Sequence, residues 1–168
     1  MKLNTHFLYV ALLFTVISYA QVFIATDGAS DSTCAGKLYD TGGTDDFIGN
    51  NTDVTYTICP EEGQDLRLAL DFIEFNFPGL PGALFIIYDG EDVNANILYE
   101  ANNDDFPETP GFIQASDPNL SGCLTFRIVT GSIFSFQPNF EANISCEEPC
   151  QLIESQTVND GSVRLRKA

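Results

Sequence analysis

From Val54 to Cys146 the apolar residues recur with a period of two, in short runs broken by turn formers, and no stretch sustains the 3.6-residue period of a helix. Leu66 to Phe72 is the cleanest case. Leu66, Leu68, Leu70 and Phe72 fall on one face and Arg67, Ala69 and Asp71 on the other, which is the pattern of a half-buried antiparallel strand. Val54 to Cys59 is β-branched and aromatic. Leu84 to Tyr88 is apolar throughout, as a fully buried strand requires, and Asp89-Gly90 ends it. Asn96 to Glu100, a start at Phe112-Ile113, Cys123 to Thr130 and Phe140 to Cys146 complete the set. Pro78-Gly79-Leu80-Pro81-Gly82 must turn, because proline cannot donate to a ladder. Such short strands without helices predict an all-β antiparallel sandwich.

The first 20 residues read differently. Lys2 precedes an apolar run from Phe7, and Ser18-Tyr19-Ala20 places small residues where a signal peptidase cuts. The run is shorter than the roughly 20 apolar residues of a membrane span. Residues 1–20 are therefore expected to be a signal peptide, and the mature protein to be secreted or displayed at the cell surface with no transmembrane segment. Removing 20 of the 168 residues leaves 148, enough for one domain and a tail.

Cleavage would also remove His6, the only histidine. Without imidazole there is no Ser-His-Asp or Cys-His machinery and no His-ligated zinc, so an enzyme is not expected. The net charge of −17 opposes nucleic acid and anionic membranes and favours cations or a basic partner. Arg164, Arg166 and Lys167 break the acidic trend within a polar stretch, 147–168, read as a tail or truncated linker.

Cys34, Cys59, Cys123, Cys146 and Cys150 are bound for an oxidising compartment, where disulfides are the default. Cys34 with Cys59 would close a loop of about 26 residues, stabilising by roughly 3 kcal/mol. Cys123 with Cys146 would tie a C-terminal hairpin, but alternation puts Cys123 outward and Cys146 inward, and cross-strand partners share a face. Cys123–Cys150 is the alternative. Cys150 is otherwise the unpaired thiol.

These segments resemble a CUB domain, an extracellular β-sandwich of jelly-roll type. Cys34-Ala35-Gly36-Lys37-Leu38 is similar to the family's C-G-G-x-L opening. Leu66 to Glu74 resembles its strand ending in an aromatic and a glutamate, Leu84 to Gly90 its apolar strand ending in D-G, and Asn139-Phe140-Glu141-Ala142 its G-F-x-A segment. The resemblance spans 34–146, with 21–33 as an N-terminal linker. The Cys-Glu-Glu-Pro-Cys-Gln that follows is similar to CUB-like modules of large bacterial surface proteins, which implies further modules in a longer parent chain. Many CUB domains bind calcium through a glutamate and two aspartates. Glu74 falls near the glutamate position, but Ala83 and Gly131 stand at the aspartate positions, leaving little ligand charge.

Several clusters remain as candidate sites. Asp89, Glu91 and Asp92 in one turn, and Asp104 and Asp105 in another, supply the oxygens that calcium takes; Asp45 and Asp46 carry the same reading with less weight. No other cofactor is implied. Ile133, Phe134 and Phe136 form an apolar tip that alternation cannot bury completely, a candidate contact for a protein or sugar. Asn50, Asn119 and Asn143 begin glycosylation sequons, which a bacterial source would leave bare. The expectation is a non-catalytic recognition or adhesion module that binds a protein or glycan partner through loops at one end of the sandwich. The rivals are an accessory carbohydrate-binding module of a secreted enzyme and a structural spacer.

Overall fold

The computed structural model describes residues 21–62, 65–77, 82–102, 108–132, 137–149, 153–157 and 163–167. All of the regular structure among them is β. Sheet one holds, in spatial order, β1 (Val22–Ile24), β3 (Ala35–Tyr39), β10 (Asn139–Glu147), β5 (Arg67–Asn76) and β8 (Phe112–Gln114). Sheet two holds β2 (Ala29–Ser32), β4 (Asp53–Cys59), β9 (Leu124–Val129), β6 (Leu84–Asp89) and β7 (Asn96–Ala101). β11 (Ile153–Thr157) and β12 (Val163–Lys167) form a two-stranded sheet of their own. No described helix is long and apolar enough to cross a membrane.

The expected strands from β4 to β10 are all present, and the sandwich is confirmed, but three expectations change. Residues 21–33 are not a linker, because β1 and β2 within them form one edge of each sheet. Nor is the sandwich purely antiparallel, since β1 pairs with β3 and β2 with β4 in parallel. The chain passes from sheet to sheet at each step from β1 to β4, so two successive reversals restore its direction beside the earlier strand. Third, 147–168 is not featureless, because β11 pairs with β12 from Ile153↔Lys167 to Thr157↔Val163.

The alternation of β5 holds only in part. Leu68, Leu70 and Phe72 face the core, then Phe75 and Phe77 do. The change of phase coincides with a register irregularity against β10, where Glu141 pairs with Glu74 but Ala142 with Phe72, leaving Ile73 over. Without that bulge the later aromatics would face water. At the other end of β5, Arg67 and Ala69 are buried rather than solvated. Arg67 is enclosed by bonds to Asp65, the Leu66 carbonyl and the Asp117 carbonyl.

The core is aromatic at its centre. The Phe85 ring lies 5.2 Å from Phe75, 5.3 Å from Phe140 and 5.7 Å from Phe77, with Phe72, Tyr99 and Phe126 each at 6.1 Å. Six rings around one phenylalanine, many edge-on, combine large apolar burial with favourable quadrupole geometry. β6 is buried on both faces from Phe85 to Tyr88, as its unbroken apolar run requires.

The disulfides join Cys34 to Cys146 and Cys59 to Cys123, not the expected Cys34–Cys59 and Cys123–Cys146. Each bridges neighbouring strands within one sheet. Ala35 pairs with Ser145, so Cys34 and Cys146 are the next cross-strand partners; Ile58 pairs with Leu124, so Cys59 and Cys123 are likewise. This placement removes the clash of faces that the expected Cys123–Cys146 pair carried. Both bridges sit at the same end of the sandwich, where β10 finishes. The end where β10 begins carries no disulfide among the described residues; Asp45, Asp46 and Glu74 lie there, whereas Glu91 lies beside the Cys59–Cys123 bridge at the other end.

Candidate functional site: an acidic cleft beside the β3–β4 loop

The loop 40–50 leaves β3 at Asp40, which is 1% exposed. One carboxylate oxygen of Asp40 accepts the Gly42 N–H at 2.6 Å and the other the Phe140 N–H at 3.0 Å, tying the loop to the start of β10. Burial raises the Asp40 pKa above its ordinary value, the two amides oppose that rise, and the charge of Glu74 adds to it. Gly42 is required by space: a Cβ there would lie 2.6 Å from the backbone at Asp46 and Phe47. The far end of the loop is held where Ile48, itself buried, donates its N–H to the Pro138 carbonyl at 2.9 Å. Thr130 hydroxyl donates to the Gly49 carbonyl and accepts from the Thr52 N–H.

So anchored, the loop presents Asp45 and Asp46 to solvent opposite two sheet residues. The bulge at Ile73 turns Glu74 outward, where it accepts from the Asn139 side chain at 2.6 Å. Glu141, across from Glu74 on β10, pairs with Lys37. Asp40, Asp45, Asp46, Glu74 and Glu141 thus line one open cleft of ≈ 180 Å³, floored by Phe140 and flanked by Phe47. Lys37 stands beside it, and the two other cations of the β1–β10 body are engaged elsewhere, Arg67 with Asp65 and Arg127 with Asp53.

Such a cleft attracts cations and offers little else. Both oxygens of Asp40 are taken by amides, so it is not a free base. Glu74, Asp45 and Asp46 are hard oxygen donors of the type calcium accepts, and a guanidinium or ammonium group would find the same charge. Ala83 and Gly131, at the two positions where the resemblance places aspartates, supply no side-chain oxygen.

The other candidates are not brought together. Asp89 is nearly buried, and its oxygens accept from the Ser116 N–H and hydroxyl and from Asn119. It fastens the end of β6 to the 116–123 turn. Asp92 accepts its own turn's Asn94 N–H at 2.7 Å. Glu91 lies beside Cys59 and Cys123, whose sulfurs are bonded to each other, so that trio is no metal centre. Asn119 of the second sequon is occupied by Asp89 and the Cys123 carbonyl, whereas Asn143 is exposed on β10. Residues 1–20, Asp104, Asp105, Ile133, Phe134, Phe136 and Cys150 lie outside the described residues.

A solved structure places this architecture. The CUB1-EGF-CUB2 domains of rat MASP-1 match with a TM-score of 0.52 and 14% identity, over 71% of this chain and 42% of that one. The fold is that of CUB domains. The MASP-1 CUB2 domain bound to Ca2+ is also similar, with a TM-score of 0.49 and 12% identity over 71% of this chain and 98% of that one. No protein-family model and no curated protein matches the sequence. Sequence reasoning weighted Asp89, Glu91 and Asp92 above Asp45 and Asp46. The signal that favours the latter is the pair of glycines, Gly42 and Gly43, letting the loop fold back on itself, combined with Glu74 at the end of its strand.

Proposed function

We propose that this CUB-fold chain is a non-catalytic extracellular recognition module that binds a basic protein partner through the acidic cleft at the disulfide-free end. One observation carries the reading: Asp45, Asp46 and Glu74 face a cleft whose other two carboxylates, Asp40 and Glu141, are held by backbone amides and by Lys37. Cross-strand cysteine pairs suit an oxidising compartment, which supports secretion or surface display. The fold's likeness to modules from a multidomain protein supports a place within a longer parent chain. Glu74, Asp45 and Asp46 do not close to a common ligand distance among the described residues, so a calcium ion there would need oxygens from the partner.

Among the described residues the exposed aromatic rings are Phe47 and Phe112, one in the 40–50 loop and one on β8.

The deciding experiment measures binding of arginine- and lysine-containing peptides, and of a glycan array, to the secreted protein with and without calcium. Salt-sensitive peptide binding that weakens in Asp45→Asn/Asp46→Asn and in Glu74→Gln supports the cleft. Glycan binding indifferent to those substitutions overturns it. A rise in melting temperature on adding calcium, lost in Glu74→Gln, would establish the metal; no rise would remove it.

A further inference from the structure

The bulge on β5 places an apolar side chain beside the acidic cleft. Phe72 and Phe75 both pack toward the core, so Ile73 and Glu74, the two residues between them, both face outward. A regular strand would send one to each face. Both are exposed, Ile73 to 52%. Core packing requires only that one residue be left over in the register with β10. It does not require that residue to be apolar, and a polar side chain would be better solvated there.

Ile73 has an apolar neighbour. Phe112 on β8 pairs with Asp71, and the Phe72 N–H donates to the Gly111 carbonyl at 3.0 Å. Asp71 and Ile73 share a face of β5, which makes Phe112 the diagonal neighbour of Ile73, a spacing of about 7 Å that an aromatic side chain spans. Phe112 is 58% exposed. Asp71 and Glu74, both exposed, border this pair on β5. Glu74 also lines the cleft, so the apolar pair and the cleft are contiguous on the outer face of sheet one.

Charge and contiguity select the occupant. An acidic segment would meet like charge at Asp71 and Glu74, and a wholly apolar one would desolvate both carboxylates without pairing them. A segment with a cation close to an apolar side chain matches both surfaces. Neighbouring strands lie about 5 Å apart, and residues one or two apart in an extended chain about 3–7 Å, so the two side chains need only that separation.

We propose that Ile73 and Phe112 form an apolar subsite of the acidic cleft, so that the partner is a basic segment with an apolar side chain one or two positions from its cation. This depends on a cation occupying the cleft, as proposed above, and adds what distinguishes one basic partner from another. The carboxylates attract every cationic segment, and the Ile73–Phe112 pair discriminates among them.

The test titrates the secreted protein with short synthetic peptides that carry one arginine, with leucine or serine two positions after it. The leucine peptide should bind on the order of tenfold tighter, from the apolar area it buries. Added salt should weaken both peptides and keep that preference. Ile73→Ser/Phe112→Ser should abolish the preference and leave the affinity for the serine peptide unchanged. Ile73→Ser alone, at a position the core does not use, should remove part of it with the melting temperature unchanged. Glu74→Gln should weaken both peptides and keep their ratio. Equal binding of the two peptides, or a preference that survives Ile73→Ser/Phe112→Ser, overturns the apolar subsite and leaves the cleft standing. Failure of both peptides to bind overturns the cleft and the subsite together.

Discussion

Cys59 and Cys123 face each other across β4 and β9, one step beyond the Ile58–Leu124 pair, with their Cα atoms 4.1 Å apart. Cys34 and Cys146 repeat the relationship across β3 and β10 at 4.9 Å. Peptide mapping without reduction should therefore recover Cys34 linked to Cys146 and Cys59 linked to Cys123. The bridges span 112 and 64 residues of sequence. In the chain-entropy picture, replacing either pair by alanine removes about 4 kcal/mol, readable by chemical denaturation. Recovery of a Cys34–Cys59 peptide would contradict the register of both sheets.

Phe85 is the ring on which the two sheets converge. Phe85→Ala should destabilise by about 3–5 kcal/mol, through lost burial and the cavity left among six aromatic neighbours. Ile73→Ala, at the half-exposed bulge position, should stay within about 0.5 kcal/mol. Denaturation midpoints of the two variants, compared at constant slope, check the contrast.

The Asp40 carboxyl has its pKa raised in the folded state, chiefly by burial. A raised folded-state pKa means that the stability tied to this group is fully present below the unfolded value and is lost as pH rises through the folded one. Acidification from neutral pH into the carboxylate range should therefore favour the wild type relative to Asp40→Asn, which does not titrate. At neutral pH the variant also leaves one of the Gly42 and Phe140 amides facing an NH2 group, costing about 1–3 kcal/mol. Denaturation of both proteins at several pH values measures the difference, and parallel curves would refute the assignment.

Asp89 and Asp92 look alike in sequence and differ in environment. Asp89→Ala strips acceptors from Ser116 and Asn119 near the end of β6 and should cost about 3 kcal/mol. Asp92→Ala removes a solvated turn acceptor and should cost less than about 1 kcal/mol. Melting temperatures of the two variants separate a structural acid from a surface one.

What the sequence made legible was whatever depends on local periodicity. β4 to β7, β9 and β10 announce themselves by alternation or by an apolar run, and β8 only by the start at Phe112-Ile113. Val22-Phe23-Ile24 and Ala29 to Ser32 do not, because three or four residues carry no measurable period, and their strand state comes from pairing beside β3 and β4. The Ile73 bulge was hidden for a related reason. Period-two reading from Leu68 carries Phe75 and Phe77 to the wrong face unless one residue is dropped, and only β10 shows which.

Cysteine pairing needed the cross-strand register, which loop-length entropy cannot supply. The cleft was half visible: the glycine-rich turn and the strand-ending glutamate stand in the sequence, but their approach depends on the two amides that fix Asp40. The β11–β12 pairing was missed although Asn159-Asp160-Gly161 is a hairpin signal, because the charged residues around it were read as a solvated tail.

Both covalent clamps sit at one pole, and the opposite pole is fastened among the described residues by hydrogen bonds, packing and ion pairs such as Arg127–Asp53. Lengthening a surface segment costs entropy only as the logarithm of its length, so the rim around the cleft can accept insertions and exchanges that the clamped base would reject. New specificities can therefore be grafted there while the scaffold keeps its registration.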